Sequence, residues 1–130
     1  MKNNLKEGDV LYTDCSNNLL CYHLGIIYKL RDEVYVFHND PSNNNKFGGT
    51  IVFESYEDFM KNRQIIKVVS TNVKNKDILR VTKKNKHETW DSLFFNCEDY
   101  VCEIVEGKRR SDLRDVFKIT ALGLTLITIY

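Results

Sequence analysis

The sequence predicts an α+β domain built on a mostly antiparallel sheet, and three observations lead to this fold class. Short runs rich in β-branched and aromatic residues recur along the chain. Turn and loop residues separate these runs. One amphipathic stretch near residue 100 carries helix-capping signals at both ends. Since no repeat, heptad or proline-rich linker divides the 130 residues, we expect one folded domain.

Six runs have the length and composition of strands. They are rich in Val, Ile, Tyr and Phe, which suit the extended, half-buried backbone of a sheet. The runs cover residues 10–13, 22–28, 33–38, 50–53, 64–69 and 78–81. A turn is predicted at residues 30–32, although this segment lacks glycine, so the second and third runs form a hairpin.

A loop and a short helix are predicted between the third and fifth runs. The loop covers residues 39–49, which contain Pro, Gly and several Asn residues. The helix covers residues 55–63, where Ser55 is followed three residues later by Asp58, as in a capping box.

The strongest helix signal covers residues 97–106. Asn96 is a good N-cap, Asp99 stands where a capping-box acid would, and Gly107 suits the C-cap. One apolar stripe of this helix is predicted to face the core: Cys97, Val101 and Ile104.

Composition limits the functions that this chain can serve. Its 19 basic and 18 acidic residues nearly cancel, so we expect no nucleic-acid partner. The N-terminus lacks the apolar segment of a secretory signal, which favours a cytoplasmic location and reduced thiols. A zinc site at Cys15, Cys21 and His23 is disfavoured because the two cysteines lack a usual zinc-ligand spacing. We therefore expect neither a metal nor a cofactor.

Cys97 is the candidate nucleophile. The first turn of a helix favours a thiolate, whereas Glu98 and Asp99 oppose it, so activation would need an imidazole. His23 and His38 lie on successive predicted strands and share one sheet face in any register that keeps their parity. We expect that face to meet Cys97, as in a Cys–His nucleophile. His87 is predicted to lie in a solvated loop, and plain packing remains the alternative role for Cys97.

Four blocks of the sequence carry a resemblance to a known family. They are GDVLY at 8–12, YHLGIIY at 22–28, VFH at 36–38 and NCEDYVCEIVEGKRRSDLRD at 96–115, and residues 51–62 match a strand-then-helix insert. The chain resembles the lecithin:retinol acyltransferase family, including its H-Ras-like suppressor phospholipase/acyltransferase branch. That family belongs to the circularly permuted papain-like (NlpC/P60) superfamily.

The resemblance implies a fold, a reaction and a set of site residues. It implies an antiparallel sheet packed against the helix that carries the nucleophile, Cys97, with His23 as general base and acid and His38 as its orienting partner. Asn96 and Tyr22 are assigned to the substrate or oxyanion subsite. The implied activity is that of a phospholipase A1/A2 and acyltransferase. Such an enzyme removes a fatty acyl chain from a glycerophospholipid, holds it as a thioester and passes it to water, an amine or an alcohol.

Two departures from the family pattern keep other functions open. Asp99 replaces the histidine that follows the family's Asn-Cys-Glu, and Leu24 replaces the aromatic residue after the first histidine. One alternative is a non-catalytic interaction module that retains the histidine and Asn-Cys blocks, as in some viral relatives. Another is a cysteine peptidase or amidase of the same superfamily.

The chain divides into a catalytic domain at residues 1–115 and a hydrophobic tail at residues 116–130. The segment ITALGLTLITIY, at 119–130, is uncharged. As a helix it would span about 18 Å, which is shorter than a bilayer core of roughly 30 Å. It can form a final strand, touch a membrane surface, or begin a longer anchor.

We predict that the tail promotes membrane contact. Deleting residues 117–130 should reduce co-sedimentation with liposomes, because the deletion removes the most apolar stretch of the chain, while hydrolysis of a soluble short-chain ester stays nearly intact. If the deletion unfolds the domain instead, the tail belongs to the core.

Overall fold

Five antiparallel strands form the sheet in the computed structural model, which describes residues 1–15, 18–42, 49–91 and 95–110, without the side chains of 15 and 18–21. The spatial order of the strands is β4-β3-β2-β1-β5. The strands are β1 (Val10–Cys15), β2 (Asn18–Leu30), β3 (Glu33–Asn39), β4 (Ile51–Ser55) and β5 (Ile65–Val69). The helices are α1 (Tyr56–Met60), α2 (Asn75–Lys84) and α3 (Cys97–Glu106), after a 3₁₀ turn at Lys2–Asn4. The predicted α+β class with an antiparallel sheet is confirmed.

The two faces of the sheet carry separate hydrophobic clusters. On one face, side chains from β2 and β3 pack with α2 and α3; this cluster includes Tyr22, Leu24, Ile26, Phe37, Ile78, Cys97 and Val101. On the other face, side chains pack around Phe59 of α1; this cluster includes Leu11, Ile27, Val34 and Val36. Successive residues of a strand point to opposite faces, so Tyr22, Leu24 and Ile26 face α3, whereas His23 and Ile27 face α1.

The hairpin between β2 and β3 confirms the turn predicted at residues 30–32. Leu30 pairs with Glu33, and Arg31 adopts a positive φ of 56° in the two-residue connection. This left-handed conformation is uncommon for a residue with a Cβ atom, and it explains how the chain reverses there without a glycine.

The strand predicted at residues 78–81 is wrong, because this segment lies inside α2. Ile78 and Val81 are three residues apart and both are buried, whereas Leu79 between them is 45% exposed. This is a helical pattern, since a strand would bury alternate residues. The Asp77 carboxylate also accepts a hydrogen bond from the Lys74 backbone N–H at 3.0 Å, which caps the helix.

The two predicted helices are confirmed with different accuracy. α1 is shorter than predicted, although Ser55 caps it by accepting from the Asp58 N–H at 3.1 Å. α3 has the predicted bounds, and Gly107 ends it with a φ of 81°.

Two predicted segments cannot be compared with the structure in full. Most of the loop at 39–49 and the whole tail at 116–130 lie outside the described residues. Within the described ranges, none of the helices combines the length and the apolar character needed to span a membrane.

Candidate active site

His23 and His38 form a buried, hydrogen-bonded pair on the α1 face of the sheet. Gly25 of β2 pairs with His38 of β3, so His23 lies diagonally across from His38. The His23 Nε2 and His38 Nδ1 atoms are 2.8 Å apart. The prediction that the two imidazoles share one face is therefore confirmed.

The surroundings of this pair favour a neutral His23. Phe59 of α1 packs against both rings, with centroids 4.8 Å from His38 and 6.0 Å from His23. Burial holds the pKa of His23 well below its ordinary value, and electrostatic interactions with His38 and Arg63 lower it further, against a smaller opposing effect of Asp40. The His23 imidazole is therefore uncharged at neutral pH, which is the form that can accept a proton.

Cys97 opens α3 and is only 3% exposed. Its sulfur lies 3.9 Å from the Tyr22 carbonyl oxygen, to which the thiol donates. Burial raises the pKa of the thiol to about 12; a hydrogen bond from the backbone of Leu24 opposes this shift, and the charge of Glu98 adds to it. Burial therefore outweighs the helix N-terminus, and Cys97 is protonated at neutral pH.

The structure joins Cys97 to β2 through the strand backbone, and the expected meeting of the thiol with an imidazole stays a prediction. Cys97 packs in the cluster on the α3 face, whereas His23 and His38 contact Phe59 on the α1 face. The reason is strand alternation, because Tyr22 and Leu24 face α3 and His23 between them faces α1. Within the described part of the chain, no hydrogen bond joins the thiol to an imidazole.

Cys97 and His23 are nevertheless neighbours through the backbone of β2. The sulfur contacts the backbone of Tyr22 and Leu24, which are the residues immediately before and after His23. The catalytic roles assigned to Cys97, His23 and His38 remain predictions.

Tyr22 and Asn96 both hold the start of α3 in place. The Tyr22 hydroxyl donates to the Glu98 carboxylate at 2.6 Å. The Asn96 side-chain oxygen accepts from the N–H groups of Glu98 and Asp99, at 3.0 and 2.9 Å. These contacts give both residues a structural role, and their assignment to an oxyanion subsite remains a prediction.

The two departures from the family pattern also have structural positions. The Asp99 carboxylate accepts from the Asn96 backbone N–H at 3.1 Å and so completes the predicted capping box. Leu24 is buried in the α3-side cluster. Each residue therefore stabilises the segment around Cys97.

Two further residues that sequence reasoning missed lie beside the candidate site. The Asn39 amide donates to the carbonyl groups of Phe95 and Asn96, at 3.2 and 3.3 Å, which ties the end of β3 to the segment before Cys97. A carboxylate oxygen of Glu54 lies 2.9 Å from His38 Nε2. Only the pairing of β3 with β4 reveals Glu54, since neither strand is unusual by itself.

No metal site emerges from the described residues, among which no three His, Cys, Asp or Glu side chains converge. The side chains of Cys15 and Cys21 lie outside those residues, so the zinc alternative stays untested. Cys97 and Cys102 are free thiols, and His87 is exposed in the turn after α2, as predicted.

Comparisons with known proteins add no relative, since no family model, curated protein or solved structure matches this chain. The likeness to the acyltransferase family therefore depends on the sequence alone, through the four blocks and the insert at 51–62.

The lowered pKa of His23 predicts an acid-sensitive fold. Below about pH 6.5 the unfolded chain binds a proton that the folded chain resists, so stability should fall as the pH drops from about 7 to about 5. Urea unfolding of His23→Gln should show a smaller fall, and His87→Gln, at an exposed site, should behave like the unmodified protein. An unchanged pH dependence in His23→Gln would contradict this assignment.

Proposed function

We propose that the chain is a thiol-dependent phospholipase A1/A2 and acyltransferase that acts on glycerophospholipids, with the circularly permuted papain-like architecture of the family that it resembles. One observation carries the proposal. The thiol in the first turn of α3 touches the β2 backbone on either side of His23, whose imidazole is hydrogen-bonded to His38. The family blocks supply the nucleophile, the base and the orienting residue in the same places.

The proposed reaction needs two rounds of proton transfer, in each of which His23 first accepts a proton and then gives it up. His23 accepts the Cys97 proton, and the sulfur attacks the ester carbonyl carbon of the lipid. The ester C–O bond breaks, the protonated His23 gives its proton to the departing glycerol oxygen, and the acyl group remains on Cys97 as a thioester. Water, an amine or an alcohol, deprotonated by His23, then attacks the thioester and releases the thiolate, which regains the proton.

This reaction requires a change in the geometry around β2. A general base acts within about 3 Å of the proton that it removes. In the structure the Cys97 thiol donates to the Tyr22 carbonyl, and the imidazole of His23 packs against Phe59. The proposed activation therefore includes a movement of the His23 side chain or of β2 that brings an imidazole nitrogen to the Cys97 sulfur.

The protein is proposed to work in the cytoplasm at a membrane surface, with residues 116–130 as the contact. The glycerophospholipid substrate would be reached at that membrane surface. The proposed reaction uses no metal or cofactor.

A non-catalytic interaction module is the second candidate function. The raised thiol pKa and the missing thiol–imidazole hydrogen bond favour it, since a nucleophilic cysteine usually has a lowered pKa and a paired base. Mass spectrometry after incubation with a mixed-chain phosphatidylcholine separates the two functions. Free fatty acid and an acyl adduct on Cys97 support the enzyme, and their absence supports the module.

Cys97→Ala is predicted to abolish fatty-acid release and labelling by a thiol-reactive lipid probe. The fold should survive, because alanine occupies less space than the buried thiol and removes no cap of α3. The matched controls are Cys15→Ala, Cys21→Ala and Cys102→Ala, each of which should keep its activity. Undiminished turnover in Cys97→Ala would exclude the proposed reaction.

Substitutions of the two histidines are predicted to lower turnover by different amounts. His23→Ala should lower turnover by about 10² to 10⁴, the usual contribution of general acid–base catalysis. His38→Gln keeps a hydrogen-bonding side chain and should retain measurable activity. Steady-state rates on a soluble ester check this order, and an inactive His38→Gln beside an active His23→Ala would reverse the assigned roles.

A further inference from the structure

Glu54 extends the histidine pair into a chain of three polar side chains. It lies on β4, where it pairs with Val36 of β3 and shares the α1 face with His38. Its carboxylate lies 2.9 Å from His38 Nε2, and its side chain is 28% exposed while that of His38 is 1% exposed. The order of groups from solvent inwards is therefore Glu54, His38 and His23.

The chemistry of a carboxylate fixes the direction of the hydrogen bonds in this chain. An ionised carboxylate only accepts, so the proton between Glu54 and His38 belongs to His38 Nε2. In a neutral imidazole the other nitrogen then carries a lone pair, so His38 Nδ1 accepts. The proton between the two rings therefore belongs to His23 Nε2.

The same logic leaves one basic atom at the inner end of this hydrogen-bonded series of side chains, on His23. With its proton on Nε2, neutral His23 has a lone pair on Nδ1. Every hydrogen bond of the His23 ring within the described residues uses Nε2. Nδ1 is thus the atom that can take up a proton.

We infer that Glu54 is a positioning residue that sets the tautomers of His38 and His23 and makes Nδ1 the basic nitrogen of His23. The significance of this nitrogen for acyl transfer rests on the proposed function, whereas the tautomer assignment does not. Protonation of His38 would reverse the inner hydrogen bond, because both nitrogens of His38 would then donate.

Nitrogen-15 NMR tests the assignment directly. Two-bond ¹H–¹⁵N correlation spectra of the labelled full chain at about pH 8, well above the ordinary histidine pKa, distinguish the two tautomers and the imidazolium. His23→Gln, His38→Gln and His87→Gln assign the three ring systems. We expect the Nε2–H tautomer at both His38 and His23. An Nδ1–H tautomer or an imidazolium at His38 overturns the inference.

Glu54→Gln tests whether the carboxylate is the cause. An amide can donate as well as accept, so the variant should show a mixture of tautomers at His38 and His23. The matched control is Glu57→Gln, at an exposed carboxylate that pairs with Lys2, which should leave the spectra unchanged. Unchanged Nε2–H tautomers in Glu54→Gln would show that Glu54 does not set them.

Activity measurements separate this inference from the proposed function. If both are right, Glu54→Gln lowers kcat on a soluble ester by about 10- to 100-fold, the range known for residues that orient a metal-binding histidine, with little change in KM. Glu54→Asp, which keeps an accepting carboxylate, should recover part of the lost rate. Fixed tautomers in a protein without acyl chemistry would leave this inference standing and refute the proposed function. Full activity with the opposite tautomers would refute this inference and leave the proposed function standing.

Discussion

Side-chain alternation along β2 decides which groups of this protein can meet. Tyr22 and Leu24 face α3, so His23 between them must face α1. Gly25 strengthens this arrangement, because a Cβ atom there would lie 2.5 Å from Val36 and 3.0 Å from the Phe59 ring. The absence of a side chain lets Phe59 approach the sheet and close over the two histidines. The two imidazoles are thereby covered by Phe59, while the Cys97 thiol contacts the β2 backbone next to His23.

The start of α3 is held more firmly than a surface helix end would be. Asn96 and Asp99 satisfy backbone N–H groups, Asn39 binds the preceding carbonyls, and Tyr22 binds Glu98. A side-chain N-cap contributes about 1 kcal/mol, and leaving a buried polar group unsatisfied costs about 1–3 kcal/mol. The backbone that carries Cys97 is therefore well fixed. Any rearrangement that joins thiol and imidazole is more easily made by the His23 side chain.

Burial gives Cys97 and His23 the same electrostatic preference. Each is favoured in its neutral form, since taking a charged group out of water costs more than the nearby hydrogen bonds return. A thiolate–imidazolium pair would have to recover this cost through mutual attraction. Asp40 lowers the cost on the imidazole side, whereas Glu98 raises it on the thiol side. The balance of these charges sets how readily the buried pair could ionise.

Local sequence determined the elements of this protein whose signals lie within a few residues. The cap residues Asn96, Asp99 and Gly107 define α3, and the runs around His23 and His38 define two strands, because capping and strand composition act over short distances. The segment 78–81 misled sequence reasoning because four positions, three of them apolar, are too few to separate a strand from a buried helix. Parity along two paired strands was enough to place His23 beside His38. The face that receives α3 was not predictable in this way, since it depends on how helices pack after the sheet has formed. Glu54 likewise meets His38 only through the register of β4 against β3, which long-range pairing and not local sequence decides.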